Sequence, residues 1–291
     1  MKVLITGKDG QVGTSLVTLL NNLPEVTFLA LNRAELDITD AKQVNYVVKD
    51  FKPNIVINAA AYTAVDKAET EEKQASAINY TGPFNLAVAA NNINACLLHI
   101  STDYVFSGDK QGLYNEAEPV NPQSIYGKTK LLGENAVAAE CPSHIILRTA
   151  WVFSEYGNNF VKTMLRLAKT RETLSVVSDQ FGGPTYAGDI AKTLITIAQA
   201  VHNGNTEFGV YHYSGFPQVS WQQFAAAIFD TALAQGLIKI PVKVNAITTQ
   251  EYPTPAKRPF NSMLDTHKIA NIFSVQPSDW QAALKNIKQY Q

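Results

Sequence analysis

Short apolar runs alternate with longer stretches of helical period through the first half of the chain. KVLIT (2–6), VTFLAL (26–31), NIVIN (54–58), ACLLHIS (95–101) and HIILRT (144–149) are β-rich and apolar almost throughout. Between them the spacing of apolar positions predicts helices near 11–22, 40–51, 72–92 and 124–139. Strands that are apolar on both faces belong to a parallel sheet covered by helices on either side, so the pattern predicts a doubly wound α/β domain. From Trp151 onward the pattern loosens. Loops rich in Gly and Pro (DQFGGPTYAG, SGFPQ, EYPTPAKRPFNS) separate helices expected near 157–169, 187–201 and 220–235. GVYHYSG, at 209–215, reads as a buried strand able to rejoin the sheet.

Composition narrows the function classes. With 291 residues, 46% hydrophobic and 17% charged, the chain can build one large core or two modest ones. A formal net charge of -1 without like-charge runs lacks the electrostatic footprint of nucleic-acid or anionic-membrane binding. The start, MKVLITGKDG, carries an apolar run too short for a secretory signal, and no stretch has the length of a membrane span, so a cytoplasmic protein is expected. Cys96 and Cys141 lie far apart without a CxxC, which predicts free thiols, and the five histidines show no metal-ligand spacing.

The first strand runs into G-K-D-G-Q-V-G, with Gly7, Gly10 and Gly13 three apart and Gln11 and Val12 opening a helix. In a strand-turn-helix such glycines let backbone approach a pyrophosphate, whose charge the free N–H groups of the helix N-terminus stabilise. The second strand should end in a group that reads the adenosine ribose, commonly an acid for NAD. Here it ends in Asn32 and Arg33; the first does not repel a 2′-phosphate and the second can pair with it, so NADPH is expected, with NADH possible. Asp37 could instead lie against the adenine, and Ile38 beside it is counted with the cofactor-binding residues. Ala59, Ala60 and Ala61, with almost no side chain, let a cofactor pass close to the end of the third strand.

YGKTK at 126–130 is open to three readings. A phosphate-cradling P-loop needs a glycine where the chain has Pro122, and a strand where it has the loop EPVNPQS, so that reading fails. On a helix beginning near Ser124, Tyr126 and Lys130 stand at i and i+4 and share a face, while Lys128 points elsewhere. A tyrosine exchanging a proton near neutrality needs a cation beside it, which Lys130 can be. HISTDYVF places Ser101 and Thr102 at the carboxyl end of the fourth strand, the edge where open α/β sheets bind ligands, and Thr102 is the preferred donor to a carbonyl oxygen.

TGKDGQVG, NAAAYTAVDKAE, HISTDYVFSG, NPQSIYGKTKLLGE, RTAWVF, NNFVKTMLRLA, SDQFGGPT and YPTPAKRPFNSMLD together resemble the extended short-chain dehydrogenase/reductases, and among them the dTDP-4-dehydrorhamnose reductase family, over nearly the whole chain. The resemblance implies a Rossmann-type domain at 1–150, rejoined by about 186–216, and a smaller mixed α/β substrate-binding domain at 151–185 and 217–291. It also implies reduction of the C4 ketone of a dTDP-linked deoxyhexose, with hydride from NADPH. Tyr126 would be the proton donor, Lys130 would lower its pKa and hold the nicotinamide ribose, and Thr102 would bond the ketone oxygen. Asp103 and Tyr104 would contact the sugar, Trp151 would pack in the substrate site, and Asn159 and Arg258 would hold the nucleotide diphosphate. Some relatives share a divalent metal between subunits through carboxylates on the first helix and near Asp189. Thr14 and Ser15 stand in that place here, so no metal site is assigned, Mg2+ and a monomer or homodimer stay open, and Asp189 reads as a helix N-terminal acid. The rivals are another nucleotide-sugar 4-reductase or epimerase, a dehydratase, disfavoured because Tyr104 stands where its acid would, and a non-catalytic subunit like the regulatory partner of methionine adenosyltransferase.

Overall fold

The structure, a computed structural model, describes all 291 residues. Six parallel strands form the main sheet in the order Gly209–His212, His144–Thr149, Cys96–Thr102, Ile55–Asn58, Lys2–Thr6, Thr27–Leu31. Alternate residues of each strand enter opposite cores, which is why the strands read as continuous apolar runs. Val3, Ile5, Ile57 and Leu147 pack with the helices Gln11–Leu20 and Ala187–His202. Leu4, Val56, Leu97 and Ile146 pack on the other side with Val44, Val48, Leu86 and Val137. The chain steps from the first strand outward to the second, then returns to place Ile55–Asn58 on the first strand's other side. This reversal opens a crevice at the carboxyl ends of the first and third strands, where such folds bind ligands.

The helix expected near 72–92 forms as contiguous helical segments that change winding. Glu72–Ser76 is α-helical, Ala77–Thr81 is a π turn, and Gly82–Asn91 resumes the α form. Pro83 has no N–H to offer the carbonyl of Asn79, and a wider turn accommodates that lost bond. The Asn79 side chain accepts from Tyr62 N–H at 2.8 Å and donates to the Tyr62 carbonyl at 3.1 Å.

Beyond residue 150 the chain builds a second core, in which Phe153, Val161, Leu165, Phe224, Ile228 and Trp280 are buried together. Its small strands escape sequence periodicity because most are two residues long: Val152–Phe153 pairs with Thr185–Tyr186, and Phe181–Gly182 lies between Val219–Ser220 and Asn261–Ser262. Thr173–Val177 and Lys243–Ile247 form a separate parallel pair. The strand Gly209–His212 does rejoin the main sheet, beside His144–Thr149.

No helix is long and apolar enough to cross a membrane. Cys96 and Cys141 are buried free thiols. Asp189 lies in the first turn of Ala187–His202 and accepts a hydrogen bond from Ser278 Oγ at 2.6 Å.

The helix Ile125–Glu140 is fastened to the sheet by an ion pair that is almost wholly buried. Arg148 donates from Nη2 to Glu134 Oε2 at 2.6 Å and from Nε to Oε1 at 2.9 Å, and its guanidinium lies 5.1 Å from the centre of the Phe106 ring. Removing one partner strands the other charge away from water. Glu134→Ala is expected to cost about 3–5 kcal/mol of stability, measured as a fall in the urea midpoint; an unchanged midpoint would show that the pair does not fasten the helix.

Candidate active site

The glycine loop is built by contact rather than by flexibility. Gly7 has φ +78°, and a Cβ there would lie 2.6 Å from the backbone nitrogen of Ala60; a Cβ on Gly13 would lie 2.1 Å from the Gly7 carbonyl oxygen. The first strand, third strand and first helix are thereby held at backbone contact. No side chain caps the helix Gln11–Leu20, whose N-cap is Gly10, so the N–H groups of its first turn are left for an anion.

A cleft of about 440 Å³ opens beside this loop. Nine of the expected cofactor residues line it: Gly7 and Gly10 at one end, Asn32, Arg33, Asp37 and Ile38 along one wall, and Ala59, Ala60 and Ala61 along the other. Its small-residue floor and uncapped helix fit an adenine dinucleotide. Of the other five residues expected to hold the cofactor, Tyr126 and Lys130 belong to the reaction centre described below, and three lie elsewhere. Val12 is buried in the core, Gly13 packs on Gly7, and the Gln11 carboxamide turns away to accept from Ser154 Oγ at 2.9 Å and Asn159 Nδ2 at 3.0 Å. Asp9, Tyr62, Thr63 and Gln74 line the cleft without having been anticipated. Tyr62 and Thr63 directly follow the alanine run and could have been read from it; Gln74 is brought in from a distant helix and could not.

At the carboxyl end of the sheet the reaction centre assembles from two elements. Ser124 caps the helix Ile125–Glu140 by accepting from Gly127 N–H at 3.1 Å, which starts the helix one residue before Tyr126. Thr102 ends its strand, donates to Asp103 Oδ1 at 3.1 Å and accepts from Tyr104 N–H at 3.2 Å. The Tyr104 and Tyr126 rings meet edge to face, 5.4 Å between centres. Lys130, 2% exposed, donates from Nζ to the Ile100 carbonyl at 2.7 Å and lies 3.4 Å from His99 Nε2.

Burial sets the protonation of these groups. It pushes the Tyr126 phenol up to about 12, with the Thr102 hydroxyl opposing the rise and the Asp103 charge adding to it. It draws Lys130 down to about 8 against the pull of Glu134, and lifts Asp103 to about 6 against hydrogen bonds from Ser262 and Thr102. The expected depression of the Tyr126 pKa by Lys130 is therefore absent from the protein alone, because the ammonium is turned to the Ile100 carbonyl and desolvation dominates. Tyr126 is a neutral phenol, which is the form a proton donor requires.

The remaining expected residues are placed as follows. Asp103 is buried and accepts from Ser262 Oγ. Arg258 donates to Asp66 Oδ2 at 2.8 Å. Its charge is among those acting on the Tyr104 phenol. Asn159 caps the helix Phe160–Ala168 with Oδ1 and spends Nδ2 on Gln11 and on the Ser154 and Tyr156 carbonyls. Trp151, at φ +50°, stacks on Trp221 at 3.5 Å between ring centres. That second tryptophan carried no signal in sequence.

Comparison with known proteins agrees with this geometry. The family model described as "RmlD substrate binding domain" matches residues 1–291. The chain is 54% identical over 290 residues to the dTDP-4-dehydrorhamnose reductase of Aggregatibacter actinomycetemcomitans, covering 99% of both proteins. Among solved structures it is similar to a dTDP-4-dehydrorhamnose reductase from Clostridium acetobutylicum, at 42% identity and TM-score 0.90 over 99% of this chain and 98% of that one. It is likewise similar to that of Bacillus anthracis in complex with NADP, at 38% identity and TM-score 0.91 over 100% and 99%. With the family model spanning the whole chain and the fold shared end to end, this protein belongs to the RmlD family.

Proposed function

We propose that this chain reduces the C4 ketone of dTDP-4-dehydro-L-rhamnose to dTDP-L-rhamnose with NADPH, the last step of dTDP-L-rhamnose synthesis. One observation carries the reading: a relative of that activity is 54% identical over 99% of the chain, and Thr102, Tyr126 and Lys130 all stand at the carboxyl end of the sheet in this fold. A non-catalytic subunit would have no use for those three groups together.

The cofactor, when bound, supplies the hydride. Gly7, Gly10 and the alanine floor would carry its backbone, and Arg33, which pairs with no acid of the chain, would favour the 2′-phosphate. Thr102, whose hydroxyl donates to Asp103 Oδ1 in the protein alone, would turn that donor to the ketone oxygen to orient it. Tyr126, held as a neutral phenol, passes its proton to that oxygen as charge develops there. Lys130, turned to the Ile100 carbonyl in the protein alone, would turn toward the nicotinamide ribose and the phenolate left behind once the cofactor is bound. Asp103 and Tyr104 meet the sugar, Trp151 supplies a flat apolar wall, and Arg258 suits the diphosphate. Asn159, whose amide is spent on its own helix and on Gln11, serves the diphosphate by fixing the loop that faces the glycine turn. In this division residues 1–150, rejoined by about 186–216, hold the dinucleotide, and 151–185 with 217–291 hold the nucleotide sugar.

With dTDP-4-dehydro-L-rhamnose and NADPH the protein should consume nicotinamide absorbance; turnover only of a different nucleotide ketosugar would overturn the substrate. Tyr126→Phe should lower kcat by about 100-fold or more with little change in KM, and near-normal kcat would remove Tyr126 as the acid. Arg33→Ala should lower kcat/KM for NADPH by roughly tenfold while sparing NADH; equal losses with both would free Arg33 of that role.

The raised Asp103 pKa makes a separate prediction. An acid whose folded pKa lies above its unfolded value favours the fold most below the unfolded pKa, and that contribution is lost as pH rises through the folded one. For Asp103 the window runs from 3.8 to about 6. Asp103→Asn should therefore gain on the wild type, in thermal unfolding, between pH 4 and pH 7, by up to about 3 kcal/mol. A pH-independent difference would show that Asp103 does not titrate there.

A further inference from the structure

Dinucleotide folds commonly read the ribose 2′ position with an acid at the end of the second strand, and here that place holds the neutral Asn32. The tertiary structure brings an acid to the same place from the glycine loop. Asp9 lines the cleft together with Asn32 and Arg33, and its Oδ2 accepts from Asn32 Nδ2 at 2.9 Å. The direction of that bond is settled by the backbone, because Asn32 Oδ1 already accepts from the N–H groups of Ala34 at 3.1 Å and Glu35 at 3.2 Å. The amide nitrogen must then face Asp9.

The charges around Asn32 do not cancel uniformly. Lys8 is committed to Glu35 at 2.6 Å, and Glu35 in turn accepts from Asn32 N–H at 2.9 Å. Asp9 forms no ion pair, and Arg33 forms neither an ion pair nor a hydrogen bond within the chain. One carboxylate and one guanidinium, neither of them in an ion pair, therefore line the cleft beside Asn32. A ribose hydroxyl can donate to the first, and a phosphate can pair with the second while being repelled by the first.

We propose that Asp9 reads the 2′ position of the adenosine ribose, accepting the hydroxyl of NADH and opposing the phosphate of NADPH, so that Asp9 and Arg33 together set the ratio in which the chain takes the two cofactors. This rests on the dinucleotide-binding role given to the cleft above. The Arg33 guanidinium keeps NADPH bound, and the Asp9 carboxylate keeps NADH competitive.

Asp9→Asn tests this with little risk to folding, since the side chain is exposed and the variant keeps an oxygen for Asn32 while losing the charge. NADP+ and NAD+ are titrated calorimetrically onto the wild type and the variant. NADP+ should bind about tenfold more tightly to the variant, as removal of a like charge at a partly solvated contact implies, while NAD+ binds more weakly. Affinities for the two dinucleotides that move by the same factor, or not at all, would show that Asp9 only ties Asn32 to the loop, and would overturn the inference. A wild-type protein that binds neither dinucleotide would instead overturn the cofactor role of the cleft itself, and the inference with it.

Discussion

The seating of the helix Ile125–Glu140 against the carboxyl end of the sheet is the contact on which the site depends. It requires backbone-to-backbone approach at two points: a Cβ on Gly127 would stand 2.2 Å from the Tyr104 carbonyl oxygen, and one on Gly133 would stand 2.1 Å from that of Asn79. The second of these meets the π turn that Pro83 imposes on the neighbouring helix, so a local backbone constraint on one element sets the resting place of another. With the helix in that place, Lys130 reaches the Ile100 carbonyl and Glu134 reaches Arg148. Tyr126, one turn before Lys130, is then brought to the edge where Thr102 ends its strand.

Such close seating removes water, and the missing water decides protonation. A cation as buried as Lys130 needs fixed dipoles, and it finds one in the Ile100 carbonyl, while a chain of side chains fixes the neutral His99 ring beside it. Thr6 donates to Asn58 Oδ1 at 2.8 Å, and Asn58 Nδ2 lies 3.0 Å from His99 Nδ1, with His99 Nε2 next to Lys130. Burial and the nearby Lys130 charge hold His99 well below its usual range, so its ring is neutral. The same dryness keeps Tyr126 protonated and makes Asp103 reluctant to ionise. These groups cost stability, and the buried Arg148–Glu134 pair is the complementary case, in which two charges are retained because each pairs with the other, with only Arg148 Nη1 left without a hydrogen-bond partner.

The two halves of the chain share apolar core, in which Ile269 and Phe273 pack with the main-sheet residues, and are also joined by polar side chains around the site. Gln11, in the first turn after the glycine loop, is held by Ser154 and Asn159 from the second half. On the opposite side of the site Arg258 grips Asp66, and Asp66 also accepts from Ala256 N–H at 3.3 Å. A dinucleotide at the glycine loop and a nucleotide sugar near Arg258 would therefore bear on side chains that already connect both halves.

Periodicity determined the parallel sheet, since apolar runs alternating with helical stretches are the pattern of strands buried on both faces by the helices between them. The i and i+4 spacing of Tyr126 and Lys130, and the three-residue spacing of Gly7, Gly10 and Gly13, were equally legible, because each reflects geometry within a single element and its flanking turn. What lay outside the sequence were contacts between elements distant along the chain. The two-residue strands beyond residue 150 have no period to read, Trp221 reaches Trp151 only through packing, and Lys130 bonds the Ile100 carbonyl rather than lowering the Tyr126 pKa because folding strips both of water. Asn32 suggested a second-strand end free of carboxylate, and folding set Asp9 beside it. Local spacing is written in the chain; charge and solvation at a site are sums over everything that folding brings near it, and only the tertiary structure performs that sum.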